Sequence, residues 1–411
     1  MNNWTFMVYL AGDNDLEKFG IKDLNEMKAV GSDDNISIIA QFDRMSDQQT
    51  KRYYLTSHQS LEEDCVATLP ETNTGDPKAL IDFVNWACNT YSAENYALVL
   101  WNHGSGWKDD DIYAIAKARG WDEKIARGQV RSLSSRRRRP PLFSTTVENI
   151  VEAAVERGIL YDDSSADFLD SIELKKALQK SIPPKKEKFD LLGFDACLMS
   201  MLEVNYQIKG QGEVAVGSQA NEPGDGWPYD TILARLSARP EMDARALAKV
   251  IVEEYTAFYR NNYPPLSITQ SAINLEAVDS LGTALSTLGD TIRNDLQSET
   301  TFGLIHAVLR YVQRFDDPDY IDLKHFCQLL VQNTPDSKIG GSAKQILEIY
   351  SQEDSMLLAN DHHGPMVGNA MGISVYLPTR SLSLLYKNLD FAKEHQWDEF
   401  LHTFLHPEIV I

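Results

Sequence analysis

Five short apolar runs, residues 5–11, 36–42, 96–101, 189–194 and 214–218, constrain this chain more than any other feature, because most are apolar at consecutive positions. Successive side chains of a strand point to opposite faces, so such a run is stable only when both faces are covered. Helical patterns lie between the runs. One begins at Leu16, with Phe19, Leu24 and Met27 turned inward. Another is opened by Asp76 as N-cap and Pro77 at the first helical position, with Leu80, Phe83, Val84 and Ala87 as its buried stripe. Doubly buried strands alternating with helices predict an α/β fold, a mostly parallel sheet sandwiched by helices. In such sheets ligands collect at the carboxyl ends of the strands. Three of these ends carry unusual sequence: Asp13-Asn14-Asp15, Asn102-His103-Gly104-Ser105-Gly106-Trp107 and Asp195-Ala196-Cys197.

Beyond the sheet region, residues 244–259, 277–296, 302–315, 323–331 and 342–350 show helical spacing, and two further strands are expected at 268–274 and at 371–377, the latter ended by Pro378. The expected division is a sheet domain over residues 1–240 and a mostly helical C-terminal domain over 241–411, packed on that sheet. Between 108 and 143 the periodicity breaks down into Asp109-Asp110-Asp111 and a basic tract closed by Pro140-Pro141, which reads as an exposed insertion.

Sixty acidic residues face 39 basic ones, a formal net charge of −21. That field repels nucleic acid and anionic membranes and favours cationic substrates, despite the arginine run at 136–139. No apolar stretch is long enough to span a bilayer, and the N-terminus lacks the pattern of a signal peptide. A cytoplasmic monomer is expected.

The four cysteines, Cys65, Cys88, Cys197 and Cys327, include no CxxC pair and no cysteine-histidine cluster of zinc-site spacing. Cys197 stands out because it follows a strand and is expected to open a helix with Leu198, Met201, Leu202 and Tyr206 inward. A helix N-terminus there would lower the thiol pKa toward the reactive thiolate. His103 ends the neighbouring strand and can serve as general acid to a leaving amine, while the N–H groups of Gly104 and Cys197 are candidates for an oxyanion site. The plain alternative is a small core hydrophobe, the reading given to Cys65, Cys88 and Cys327. His363, in Asp361-His362-His363-Gly364, rivals His103 but follows a helical pattern. His306, His325 and His402 read as packing or surface residues.

Three segments together, Val8-Tyr9-Leu10-Ala11-Gly12-Asp13-Asn14-Asp15-Leu16-Glu17, Leu100-Trp101-Asn102-His103-Gly104-Ser105-Gly106-Trp107 and Leu192-Gly193-Phe194-Asp195-Ala196-Cys197-Leu198-Met199, resemble the clostripain-like cysteine peptidases, relatives of caspases, gingipains and legumain. The resemblance covers nearly the whole chain. It implies a caspase-like fold, a Cys197–His103 dyad, and cleavage of peptides or proteins after Arg or Lys. It also implies that Asp195, two residues before the nucleophile, lies in the pocket for the basic side chain, with Asp225 of Asn221-Glu222-Pro223-Gly224-Asp225-Gly226-Trp227 as a second acid. A partly desolvated carboxylate pairs with guanidinium or ammonium and rejects neutral groups that would leave it unpaired. The alternative for Asp195 is a helix N-cap. Relatives cut themselves between histidine and cysteine, which makes Lys117, Arg119, Arg127, Arg131, Arg136 and Arg139 candidates for autocleavage.

No cofactor is needed for the chemistry. The resemblance allows calcium, for which Asp13, Asn14, Asp109, Asp110, Asp111, Asp162 and Asp163 offer oxygen donors, but no EF-hand spacing appears and no metal ligands are assigned. Clostripain itself is secreted, which stands against the cytoplasmic expectation. Two rival functions are a non-catalytic scaffold binding basic peptides through Asp195 and Asp225, and a hydrolase or transferase of small amides or esters.

Overall fold

The computed structural model describes residues 2–104, 106–107, 159–162, 167–352, 355–383 and 385–407, with only the backbone path for 159–162 and 167–168. The 108–143 insertion, its six candidate cleavage sites and Asp163 lie outside the described residues.

The strands are β1 (Asn2–Gly12), β2 (Ile36–Arg44), β3 (Gln49–Tyr54), β4 (Cys65–Pro70), β5 (Ala93–Trp101), β6 (Ile159–Asp162), β7 (Asp167–Leu169), β8 (Phe189–Asp195), β9 (Gly212–Gly217), β10 (Ile268–Asn274), β11 (Tyr320–Asp322), β12 (Leu357–His363) and β13 (Ser374–Tyr376). Nine of them form one sheet in the order β12-β10-β9-β8-β5-β1-β2-β3-β4. The five expected runs are its centre, β9-β8-β5-β1-β2, and all four pairings within it are parallel. Both flanks are antiparallel: β3 and β4 on one side, β10 and β12 on the other. The run at 371–377 is a shorter strand, β13, which pairs with β11 outside the main sheet.

The helices are α1 (Glu17–Val30), α2 (Leu61–Asp64), α3 (Pro77–Thr90), α4 (Ser171–Lys180), α5 (Leu202–Ile208), α6 (Tyr229–Ala238), α7 (Ala244–Asn262), α8 (Val278–Arg293), α9 (Glu299–Tyr311), α10 (Leu323–Asn333), α11 (Lys338–Ile349), α12 (Asp390–Glu394) and α13 (Trp397–Leu405). Side chains of β1 alternate between two cores. Trp4, Phe6, Val8 and Leu10 pack with Leu24 and Met27 of α1, Ile232 of α6 and Leu247 of α7. Met7, Tyr9 and Ala11 pack with Leu80 and Phe83 of α3, Leu174 of α4, and the C-terminal helices as far as Phe404. This two-sided burial is what the consecutive apolar residues require. The sheet also crosses residue 240, since β10 pairs onto β9 and β12 onto β10.

Candidate active site

Parallel pairing of β1, β5, β8 and β9 sends all four carboxyl ends to one edge. Trp101 is in register with Asp195, and the Asn102 N–H donates to the Asp195 carbonyl at 3.2 Å, so the two strand exits run side by side. One step later Gly104 lies directly on Cys197: a Cβ added at Gly104 would overlap the Cys197 backbone N, C and O. His103 and Cys197, 94 positions apart in sequence, are thus brought to the same rim.

The imidazole is held from the β1 side. His103 Nε2 hydrogen-bonds Asp15 Oδ1 at 2.8 Å, and that bond keeps the Asp15 carboxyl below the usual carboxylate range. Beneath it, Asn102 Nδ2 donates to the Ala11 carbonyl at 2.7 Å, and Asn14 Nδ2 donates to the same carbonyl and to Asn102 Oδ1. These bonds fasten the turn after β5 to the turn after β1.

Cys197 does not open a helix. It sits in a turn, Leu198 takes a φ of +63°, and α5 begins only at Leu202. The reason is tertiary: Leu198 N–H donates to the Ala220 carbonyl, Ser200 N–H to that of Ser218, and Met201 bridges to Ser374. These contacts keep the chain extended past Cys197. Without a helix dipole at the sulfur, burial dominates and pushes the Cys197 thiol up to about 12, against the expectation of a lowered value. The Glu222 N–H donates to Sγ at 3.2 Å and partly offsets this.

Asp195 is buried and is no helix cap. Its Oδ2 accepts from the Tyr229 hydroxyl at 2.8 Å and from the Trp227 N–H at 3.2 Å. Gly226 must be glycine twice over: its φ is +61°, and a Cβ there would stand 2.9 Å from Asp195 Oδ2. Desolvation pushes Asp195 up to about 6. Asp23 of α1, bonded to the Trp101 indole at 2.6 Å, is pushed up to about 9 by burial and then by the charge of Asp195. Asp225, next to Gly226, is placed otherwise: it pairs with Lys22 at 3.3 Å and accepts from the Tyr263 hydroxyl.

The whole chain resembles solved structures of this type. A secreted C11 cysteine protease from Bacteroides thetaiotaomicron, in complex with an irreversible peptide inhibitor, superposes with a TM-score of 0.65 at 20% identity, over 97% of this chain and 100% of that one. An inactive zymogen C11 protease from Parabacteroides distasonis gives 0.62 at 19%, over 96% and 99%. Clostripain from Hathewaya histolytica is 27% identical over 260 residues, 57% of this chain and 42% of clostripain, so the chain spans less than half the length of that relative. The clostripain family model matches residues 8–132 and 148–404. The chain belongs to the clostripain (C11) family of cysteine peptidases.

Membership of the clostripain family accords with the caspase-like sheet. The cytoplasmic expectation is contradicted: two of the matching structures are of proteins described as secreted. No described helix is long and apolar enough to cross a membrane.

His363 lies on edge strand β12, not after a helix, and bonds the Pro264 carbonyl at 2.9 Å, three strands away from β8. Cys88 and Cys327 are buried core residues, and Cys65 is half-buried at the sheet edge. Asp13, Asp43 and Glu71 bring carboxylate oxygens within 4.8 Å of one another and could hold a divalent ion. Sequence reading named Asp13 there but neither Asp43 nor Glu71. It also gave no role to Asp15 or Glu222, although both stand inside segments it singled out.

Proposed function

We propose that this protein is an endopeptidase that cleaves after Arg or Lys, with Cys197 as nucleophile and His103 as its acid-base partner. The observation that carries the reading is the contact of Gly104 with the Cys197 backbone at the ends of paired strands, because it joins the two chemical groups at one rim. The thiol is protonated at neutral pH, so attack requires His103 to take its proton as Sγ bonds to the peptide carbonyl carbon. With Nε2 engaged by Asp15, Nδ1 is the nitrogen available for that transfer. The Gly104 and Cys197 N–H groups stabilise the resulting oxyanion. His103 then protonates the departing amine, and water hydrolyses the thioester.

Asp195 is the base of the specificity pocket, aimed by Tyr229 and Trp227. Asp225 acts at its mouth, where Lys22 already balances part of its charge. Self-cleavage in the basic insertion supplies activation, at Lys117, Arg119, Arg127, Arg131, Arg136 or Arg139. For Asp13, Asp43 and Glu71 the all-carboxylate donor set suits calcium better than zinc or copper.

Hydrolysis of arginyl, lysyl and neutral reporter peptides tests the reading, with and without a chelator. Cys197→Ala should lower kcat/KM by roughly a thousandfold or more and remain a single chain on a denaturing gel. Asp195→Asn should lose most of the preference for basic residues. Equal signals from wild type and Cys197→Ala would leave a peptide-binding scaffold.

A further inference from the structure

Asp195 does not meet the pocket alone. Glu222, on the loop after β9, reaches its carboxyl into hydrogen-bonding contact with that of Asp195, beside the Trp227 ring. Glu222 Oε1 accepts from Gln270 Nε2 at 3.2 Å, and the Trp227 indole N–H faces the same buried carboxyl. Two carboxyl groups in contact form a hydrogen bond only if one of them keeps a proton. Two full charges in such contact, away from water, would repel each other strongly.

We propose that Glu222 is a further specificity-determining residue, which shares one proton with Asp195 so that the empty pocket holds a single negative charge and gains a second when a cationic side chain enters. The proposal rests on the reading of Asp195 as the pocket base. The proton belongs on Glu222, because Asp195 accepts the shortest of the bonds, from the Tyr229 hydroxyl at 2.8 Å, together with the Trp227 backbone N–H, whereas Glu222 has only the longer bond from the Gln270 amide at 3.2 Å and the Trp227 indole. Burial and the Asp195 charge hold Glu222 well above the usual carboxylate range, in keeping with this order.

Among the described residues, the titratable groups around the pair supply no positive charge in the free protein. They are Asp23 and Glu26 on α1, Cys197 after β8, Tyr229 on α6, Tyr255 and Tyr259 on α7, Asp225 in the same loop, and Asp316, which accepts from the Asn221 N–H at 2.8 Å. Lys22 is committed to Glu26 and Asp225. An arriving guanidinium or ammonium would supply the missing counter-charge, and Glu222 would then release its proton to solvent.

The test is KM and kcat of full-length enzyme for arginyl and lysyl peptides between about pH 5.5 and 9.5. In wild type, KM should fall by roughly tenfold as pH rises, since ionising Glu222 strengthens the pocket by about 1.4 kcal/mol. Glu222→Gln keeps a donor to Asp195 but cannot ionise, so its KM should stay flat with pH. Gln270→Met, which removes the amide donor, should move the wild-type transition to higher pH and serves if Glu222→Gln fails to fold. A Glu222→Gln profile that tracks wild type would overturn the inference, as would a loss confined to kcat. If Asp195→Asn keeps its preference for basic residues, the pocket reading itself falls. If Asp195→Asn loses the preference while Glu222→Gln tracks wild type, only proton sharing falls.

Discussion

Gly104 has no room for a side chain because the Cys197 backbone occupies the place of its Cβ, whereas Gly210 meets nothing within 4 Å. Gly104→Ala must push the histidine turn away from Cys197, and displacement of about 1 Å between the proposed catalytic partners would cost on the order of a hundredfold. A fall of about that size in kcat/KM is therefore expected for Gly104→Ala, with Gly210→Ala at the wild-type level; steady-state kinetics on both decides it. At this scale the meeting of His103 and Cys197 at one rim was legible because each follows an apolar run and is flanked by residues that permit close approach. Asp15 was quoted only as part of a motif. Its bond to His103 depends on β1 and β5 being neighbours, which no local pattern states. Glu222 was hidden in the same way, 25 residues beyond the sulfur it touches.

Elements were legible where their signals are local. Asp76 caps α3 as read from sequence, its carboxylate accepting from the Lys78 N–H at 2.8 Å with Pro77 at the first position. Asp76 is exposed and far from the site in role, so Asp76→Ala should cost about 1 kcal/mol of stability and leave peptide hydrolysis unchanged, as denaturant unfolding and reporter assays would show. The antiparallel flank was not legible. In β3, Gln49, Lys51 and Arg52 give a polar reading, and in β4 exposed and half-buried residues alternate, as befits strands near or at an edge. The helix expected at Cys197 failed for the opposite reason. Its periodicity was real from Leu202 onward, but hydrogen bonds to Ser218, Ala220 and Ser374 recruit the preceding residues into extended structure.

Over the whole molecule, one core runs from Met7 and Leu98 through Leu174 and Tyr206 to Leu285, Phe326, Trp397 and Phe404. Cutting at residue 240 would strip that core of α8 to α13 and leave β9 without its β10 partner. Expressed alone, residues 1–240 should show no cooperative thermal transition, whereas the full chain should melt as one; a sharp transition in the fragment would show that it folds independently. Sequence by itself determined the buried parallel centre, the capped helices around it and the strand-end positions of His103 and Cys197, because periodicity and capping are set by residues within a turn or two of each other. Strand order, the delayed helix after Cys197, the grip of Asp15 on His103 and the Asp195–Glu222 contact were decided only by the tertiary structure. Each is a meeting of segments distant along the chain, and in the low-dielectric interior such meetings set which groups keep their protons.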